Sequence, residues 1–213
     1  MQESYGNDTP DALERIFRGP INWVNLLMVG SNLLIFIVME FFGNTENITY
    51  MLKCGAAYTP LILEGQWYRL FTSMFLHFGM GHLLNNMVLL LFLGDTLESM
   101  IGKWKYLLIY LGGGIIGNLV SMIVDCRTGQ MAVSAGASGA VFAVIGGILV
   151  ILIRHKGRVQ DMTASRLLFM MALSIYHGFQ STGIDNAAHV GGALGGIVLT
   201  LLLYRKKKYY VNY

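Results

Sequence analysis

Six apolar segments follow one another along this chain with short polar connections, and this succession limits the fold more than any other feature. The segments cover residues 25–42, 82–97, 106–124, 138–153, 163–179 and 187–204. A helix that crosses a bilayer needs about 20 mostly apolar residues, and shorter helices can cross when other helices surround them. Only 13% of the residues are charged, against about 25% in soluble domains. The chain is therefore predicted to be an all-α membrane protein with six transmembrane helices.

The six segments are expected to form one domain over residues 21–205, because no soluble insertion separates them. Residues 1–20 are polar and are expected to be a flexible cytoplasmic arm, and residues 206–213 a basic cytoplasmic tail. The net charge of +3 does not indicate a nucleic-acid-binding protein, since the basic residues cluster at the ends of the segments.

The positions of lysine and arginine predict the orientation of the bundle. Six crossings place both termini on one side of the membrane, and that side holds every basic residue except Lys53, Arg69 and Arg127. Because positive residues stay on the cytoplasmic side, both termini are expected in the cytoplasm. The second, fourth and sixth segments then run from the outside inward, and the basic run at 205–208 is expected to contact anionic lipid at the inner face.

Three residues with chemically useful side chains are predicted at one depth in the bilayer. Ser138 and His189 each lie 16 residues before an arginine at the inner end of their segment, and His82 lies 16 residues before an acidic residue. At 1.5 Å per residue, 16 residues span about 24 Å, while the hydrocarbon core is about 30 Å thick. All three side chains should therefore lie several ångström below the outer surface.

Ser138 is a candidate nucleophile. It lies between the small residues Gly136, Ala137 and Gly139 at the start of an apolar segment. The free N–H groups at a helix start could stabilise an oxyanion next to this hydroxyl. The four residues alone also fit a simple small-residue contact between membrane helices.

His189 is a candidate general base, because an ionisable residue inside a membrane segment is a functional hypothesis by default. Gly192 and Gly196 share its helix face and would let this helix pack closely on Gly139 and Gly146 of the fourth segment. Close backbones would bring the imidazole to the serine hydroxyl, whose proton it could accept. The alternative is a histidine that only hydrogen-bonds a neighbouring helix.

His82 and Asn86 lie one helical turn apart and share a face. Both could donate hydrogen bonds to a developing negative oxygen, although Asn86 taken alone is more typical of a polar contact between helices. His77 is expected to be structural, at the loop before this helix. No partner is predicted for His155 or His177.

No acidic residue is predicted to complete a triad with Ser138 and His189. Asp125 and Asp185 are expected in outer loops, and the other candidate acids lie near the inner face. A Ser–His dyad is therefore the simplest hypothesis. The metalloprotease motif His-Glu-x-x-His is absent from the sequence, so no metal site is predicted.

Four stretches together resemble the rhomboid family of intramembrane serine proteases. They are HFGMGHLLNN at 77–86, GASG at 136–139, AHVGGALGG at 188–196 and YRLFT at 68–72. The resemblance implies a six-helix bundle with a half-inserted outer loop 1, and a dyad of Ser138 and His189. It also implies an oxyanion site made by His82, Asn86 and the Ser138 amide. The implied substrates are membrane-anchored proteins, cut in or near their transmembrane helix after a small residue, and no cofactor is implied.

Two positions depart from the family pattern. Tyr68 precedes Arg69, where the family commonly has tryptophan, and Phe142 follows Ser138 by four residues, where many relatives have tyrosine. The spacing of four residues still places the Phe142 ring on the serine's face, where it can stack on His189.

The expected partners are the transmembrane helix of a substrate and the lipid bilayer, with no nucleic acid and no obligate protein partner. A bacterial plasma membrane is the expected location, with the active site opening outward. The fifth segment, the least apolar, is the candidate gate for substrate entry, and residues 43–69 are expected to lie partly in the outer leaflet. Cys54 and Cys126 are both predicted on the outer side, so a disulfide between them stays open.

Two other function classes fit parts of the sequence. A transporter or channel would also place polar residues at mid-depth, but it would more often show an inverted repeat or charges deep in the core. A catalytically inactive rhomboid-like protein that binds transmembrane helices is the second alternative.

Overall fold

The computed structural model of the chain describes residues 21–156, 158–159, 162–180 and 184–205. The helices are α1 (Trp23–Phe42), α2 (Ile48–Lys53), α3 (Thr59–Leu63), α4 (Arg69–Thr72), a 3-10 turn (Ser73–Phe75), α5 (Gly79–Leu89), a π-helical turn (Leu90–Gly94), α6 (Asp95–Ile101), α7 (Lys103–Thr128), α8 (Ser138–Arg154), α9 (Ala164–Gln180) and α10 (Asn186–Leu203). The only strands in the described ranges are β1 (Arg158–Val159) and β2 (Met162–Thr163), which form a short antiparallel pair. The prediction of an all-α bundle is confirmed.

Each of the six predicted segments corresponds to a helix or to a continuous run of helices. Among the described residues, α1, the run from Gly79 to Ile101, α7 and α10 are long and apolar enough to cross a bilayer. Helix α8 is shorter, with 17 residues, but all residues from 139 to 152 are buried. It is the central helix of the bundle, and this explains why a short span is tolerated.

The second segment differs from the prediction in its start and its regularity. It begins at Gly79 and contains the π-helical turn Leu90–Gly94, which the apolar pattern does not indicate. At Gly94 the helix meets the side chain of Asn25, which accepts a 2.7 Å hydrogen bond from the Tyr106 hydroxyl. The Asn25 N–H also donates to a carboxylate oxygen of Glu98 at 2.7 Å. These polar contacts connect α1 to the second segment at the predicted inner side of the membrane.

Glycines bring the backbones of α7, α8 and α10 together. A methyl group on Gly192 would overlap the Gly139 carbonyl, so this predicted contact is confirmed. The predicted close packing at Gly146 is confirmed as well, because a methyl group there would overlap the Ala193 carbonyl of α10, and Gly196 packs on the Ala143 carbonyl of α8. The close approach of α8 and α10 is therefore present as predicted.

The connection between α1 and α5 is folded against the bundle. Arg69 is buried and donates hydrogen bonds from Nη1 to the carbonyls of Leu52 and Ala56, both at 2.8 Å. Cys54 and Cys126, whose pairing the sequence leaves open, are both free thiols.

Four other predictions concern residues at the margins of the bundle. His155, for which no partner is predicted, shares a 2.8 Å hydrogen bond with the Tyr204 hydroxyl, which links the inner ends of α8 and α10. The predicted arm at 1–20, the tail at 206–213 and the side chain of His177 lie outside the described residues.

Candidate active site

Hydrogen bonds fix the backbone at Gly136 and Ala137, the two residues that directly precede α8. The Gly136 N–H donates to the Ser73 carbonyl at 2.9 Å, and the Ala137 N–H donates to Nε2 of His77 at 3.3 Å. Helix α8 then begins at Ser138. The Ser138 N–H lies in the first turn, where a helix offers no acceptor, and no described group accepts from it. This amide is therefore available to an oxyanion beside its own hydroxyl.

His77 connects this segment to the start of α5, as its predicted structural role requires. Because Nε2 accepts from a backbone N–H, the proton of the neutral ring lies on Nδ1. The ring also contacts the His82 ring edge to face, with centroids 5.2 Å apart. Burial, with a smaller effect of the charge on His82, lowers the pKa of His77 to about 3. The ring therefore stays neutral and can continue to accept this hydrogen bond at neutral pH.

His82 lies against the backbone that precedes Ser138. Gly136 has a φ of +138°, and a Cβ at this residue would lie 2.8 Å from Cε1 and 2.9 Å from Nε2 of His82. The same Cβ would lie 3.7 Å from the Ser138 hydroxyl oxygen. Glycine is required here both by the backbone angle and by the space, and its missing side chain lets the imidazole approach the serine.

Asn86 is buried one turn along α5 from His82. Its Nδ2 donates to the His82 carbonyl at 3.0 Å, which fixes the orientation of the amide. A side-chain amide carries two N–H groups, so one donor remains after this bond.

His189 enters the site from the first turn of α10. Its ring lies parallel to the Phe142 ring, with centroids 4.3 Å apart and 7° between the planes. This is the stacking that the spacing between Ser138 and Phe142 predicts. His189 is only 6% exposed, and its Nδ1 has no hydrogen-bond partner among the described residues. The stacked ring and the close contact between α8 and α10 therefore fix its position.

One cavity of about 1010 Å³ connects these side chains. The predicted site residues that line it are Ser138, His189, His82, Asn86, Phe142, Gly136 and Gly139. Gly192 is the exception, because it lies behind the cavity wall and packs on Gly139. The arrangement offers a hydroxyl, an imidazole and several hydrogen-bond donors to one bound group.

Two features of the site are not predicted from the sequence. Asp185, expected in an outer loop, is the N-cap of α10 and lines the same cavity. The sequence carries a signal for it, because an aspartate directly before an apolar helical segment is a strong N-cap candidate. Ser73, which holds Gly136, in turn accepts a 3.0 Å hydrogen bond from Asn118. No local pattern indicates this contact between distant parts of the chain.

Comparison with known proteins identifies the family. The family model of the rhomboid domain matches residues 64–206, about two thirds of the chain. The chain belongs to the rhomboid family. Together with its several apolar helices of membrane-spanning length, this makes it a multi-pass membrane protein.

The relatives of this chain within the rhomboid family include bacterial and plant proteins. The chain is 32% identical over 170 residues to Rhomboid protease GluP of Bacillus subtilis, an alignment that covers 80% of this chain and 32% of GluP. It is 33% identical over 168 residues to Rhomboid protease AarA of Providencia stuartii, covering 69% of this chain and 59% of AarA. It is 36% identical over 160 residues to RHOMBOID-like protein 2 of Arabidopsis thaliana, covering 74% of this chain and 49% of that protein. The chain thus spans about a third to three fifths of the length of these relatives.

Proposed function

We propose that the protein is an intramembrane serine endopeptidase that cleaves transmembrane segments of membrane-anchored proteins. One observation carries the proposal. A serine at the start of α8 and a histidine in the first turn of α10 line a single cavity together with His82 and Asn86. The rhomboid proteases among the relatives support the same reaction class.

In the proposed reaction Ser138 attacks the carbonyl carbon of the scissile bond while His189 accepts the hydroxyl proton. The attack forms a tetrahedral intermediate with a negative oxygen. His189, now protonated, gives its proton to the leaving amine, and the peptide bond breaks to give an acyl-enzyme. Water then enters the cavity and attacks the acyl carbon while His189 accepts one of its protons. His189 returns this proton to the Ser138 oxygen as the acyl–serine bond breaks, which releases the carboxylic acid and restores the hydroxyl. No cofactor takes part in these steps.

The negative oxygen would be stabilised by fixed donors. The Ser138 N–H, the remaining N–H of Asn86 and the His82 ring are the proposed donors, since each is already oriented by other contacts. Donors that do not have to reorient are the main source of such stabilisation, and the loss of one typically lowers kcat about 10²–10³-fold.

The proposed orientation follows the charges of the sequence. Both termini would be cytoplasmic, the cavity would open toward the outside, and the membrane would be a bacterial plasma membrane. The protease domain would comprise residues 21–205. Helix α9 is the proposed gate for the substrate, and its Ser174 lines the cavity. Its outward side chains, such as Phe169 and Leu173, are exposed on the bundle and would face lipid.

The test is cleavage of a tagged reporter with one transmembrane helix, co-reconstituted with the purified protein in liposomes. The unmodified chain and Ser134→Ala should cut the reporter at one position, which intact-mass analysis of the products defines. Ser134 is the matched control because it also lines the cavity. Ser138→Ala and His189→Ala should not cut. Cleavage by Ser138→Ala would overturn the proposal, whereas binding of the reporter without cleavage by the unmodified chain would favour the inactive helix-binding alternative.

A further inference from the structure

Asp185 places a carboxylate at the start of the helix that carries His189. Its backbone carbonyl accepts the His189 N–H at 3.1 Å, so the two residues are one helical turn apart and share a face. Asp185 also lines the cavity that contains the imidazole.

Both carboxylate oxygens of Asp185 are held by neutral donors. Oδ1 accepts the Ala188 N–H at 2.8 Å, and Oδ2 accepts the Ser121 hydroxyl of α7 at 2.6 Å. No lysine or arginine lines the cavity within the described ranges. The negative charge is therefore fixed in place and is not neutralised by an ion pair at the site.

His189 is the fourth residue of α10, and this position disfavours its protonated form. The amino end of a helix carries a partial positive charge, and a buried imidazolium loses solvation. A fixed carboxylate one turn away opposes both effects, and opposite charges attract more strongly where burial lowers the effective dielectric constant, as it does at the buried His189. Because the imidazole becomes positive only during the reaction, this interaction is stronger in the transition state than in the ground state, which raises kcat.

We propose that Asp185 is a positioning residue that stabilises the protonated form of His189 through space during proton transfer. It does not hydrogen-bond the imidazole, since both of its oxygens have other partners and the His189 Nδ1 has none among the described residues. The arrangement is thus a dyad with a fixed charge beside it rather than a triad. This inference rests on the proposed protease function.

Two variants separate the charge of Asp185 from its role as a helix cap. Asp185→Asn removes the charge but keeps a good N-cap, and its amide can still pair with Ala188 and Ser121. Asp185→Glu keeps the charge but is a poorer cap, because glutamate is not among the residues that favour the N-cap position. The reporter assay gives kcat and KM for each variant, and thermal unfolding gives Tm.

Asp185→Asn should keep its Tm and its KM within twofold of the unmodified protein and lose about tenfold in kcat. Asp185→Glu should show a lower Tm but a higher kcat than Asp185→Asn. A purely structural role predicts the opposite order, with activity following Tm. A kcat for Asp185→Asn within twofold of the unmodified protein, measured while Ser138→Ala is inactive, would overturn this inference and leave the protease function intact. Cleavage by Ser138→Ala would instead overturn the function itself.

Discussion

Substitution of Gly117 by alanine should separate α7 from α10 directly beside His189. A Cβ at Gly117 would lie 2.7 Å from the Ala188 carbonyl oxygen and 3.3 Å from the Gly192 nitrogen. Both neighbours are backbone atoms of α10, so no side chain can rotate away. Ordinary contact begins at 3.4 Å, and the helices must therefore move apart by about 0.7 Å at this point.

That displacement should reduce both stability and activity. Overpacking of a close-packed interior costs about 1–3 kcal/mol, which should appear as a lower free energy of unfolding. Ala188 is adjacent to His189, so the imidazole moves with the backbone. A shift of about 1 Å in a reacting group can cost about 10²-fold in rate, and we expect kcat for Gly117→Ala to fall by about 10- to 100-fold.

Gly30→Ala is the matched control, because Gly30 is also a helical glycine but has no atom within 4 Å of the place that the alanine methyl group would occupy. It should leave kcat unchanged and raise stability by at most about 1 kcal/mol, the difference in helix propensity. The assays are reporter cleavage in liposomes and equilibrium unfolding in mixed micelles. If Gly117→Ala matched Gly30→Ala in both assays, the close contact between α7 and α10 would not be what positions His189.

Two further substitutions test the surroundings of the dyad. Phe142→Ala removes the ring that stacks on His189 and should lower kcat about tenfold, whereas Phe142→Tyr keeps the ring and should stay within twofold; equal kcat values for both would argue against the stacking. His77 has a folded-state pKa of about 3, below its ordinary value of 6.5, so its unfolded form binds the proton first. The neutral His77 ring makes its full contribution to the free energy of unfolding above pH 6.5. As the pH falls from 6.5 toward 3, this contribution decreases by up to about 1.4 kcal/mol per pH unit. Unfolding measured at pH 5.0 and 7.5 should show a smaller pH dependence for His77→Gln, and an unchanged dependence would contradict the neutral buried ring.

The fold could be predicted from the sequence because the bilayer restricts the choice of elements. Apolar segments separated by polar connections leave the helix as the main option, and the start of α8 at Ser138 agrees with the pattern. The π-helical turn Leu90–Gly94 was not predictable, because its residues continue the apolar run and no local pattern indicates that Gly94 meets the side chains of Asn25 in α1 and Tyr106 in α7.

The relative positions of site residues were predictable when the residues lie on the same helix. They were less predictable when the residues lie on two different helices. The relations of His82 to Asn86 and of Ser138 to Phe142 are fixed by one helical turn. The register between α8 and α10 is set by packing, so the glycine pattern predicts their close approach but not that Gly196 opposes Ala143 and Gly146 opposes Ala193. Periodicity places Asp185 in a loop because it describes the body of a helix and not the capping residue before it, although the capping preference could have identified its role.

The most direct measurement is the rate at which a fluorophosphonate modifies each serine in the reconstituted protein, read by mass spectrometry of the digested chain. If the Ser138 hydroxyl on α8 is activated by His189 on α10, the unmodified protein should be labelled at Ser138 alone, and His189→Ala should be labelled at least about 10²-fold more slowly. Equal labelling of Ser138 in both proteins, or modification of Ser134 in its place, would contradict the account.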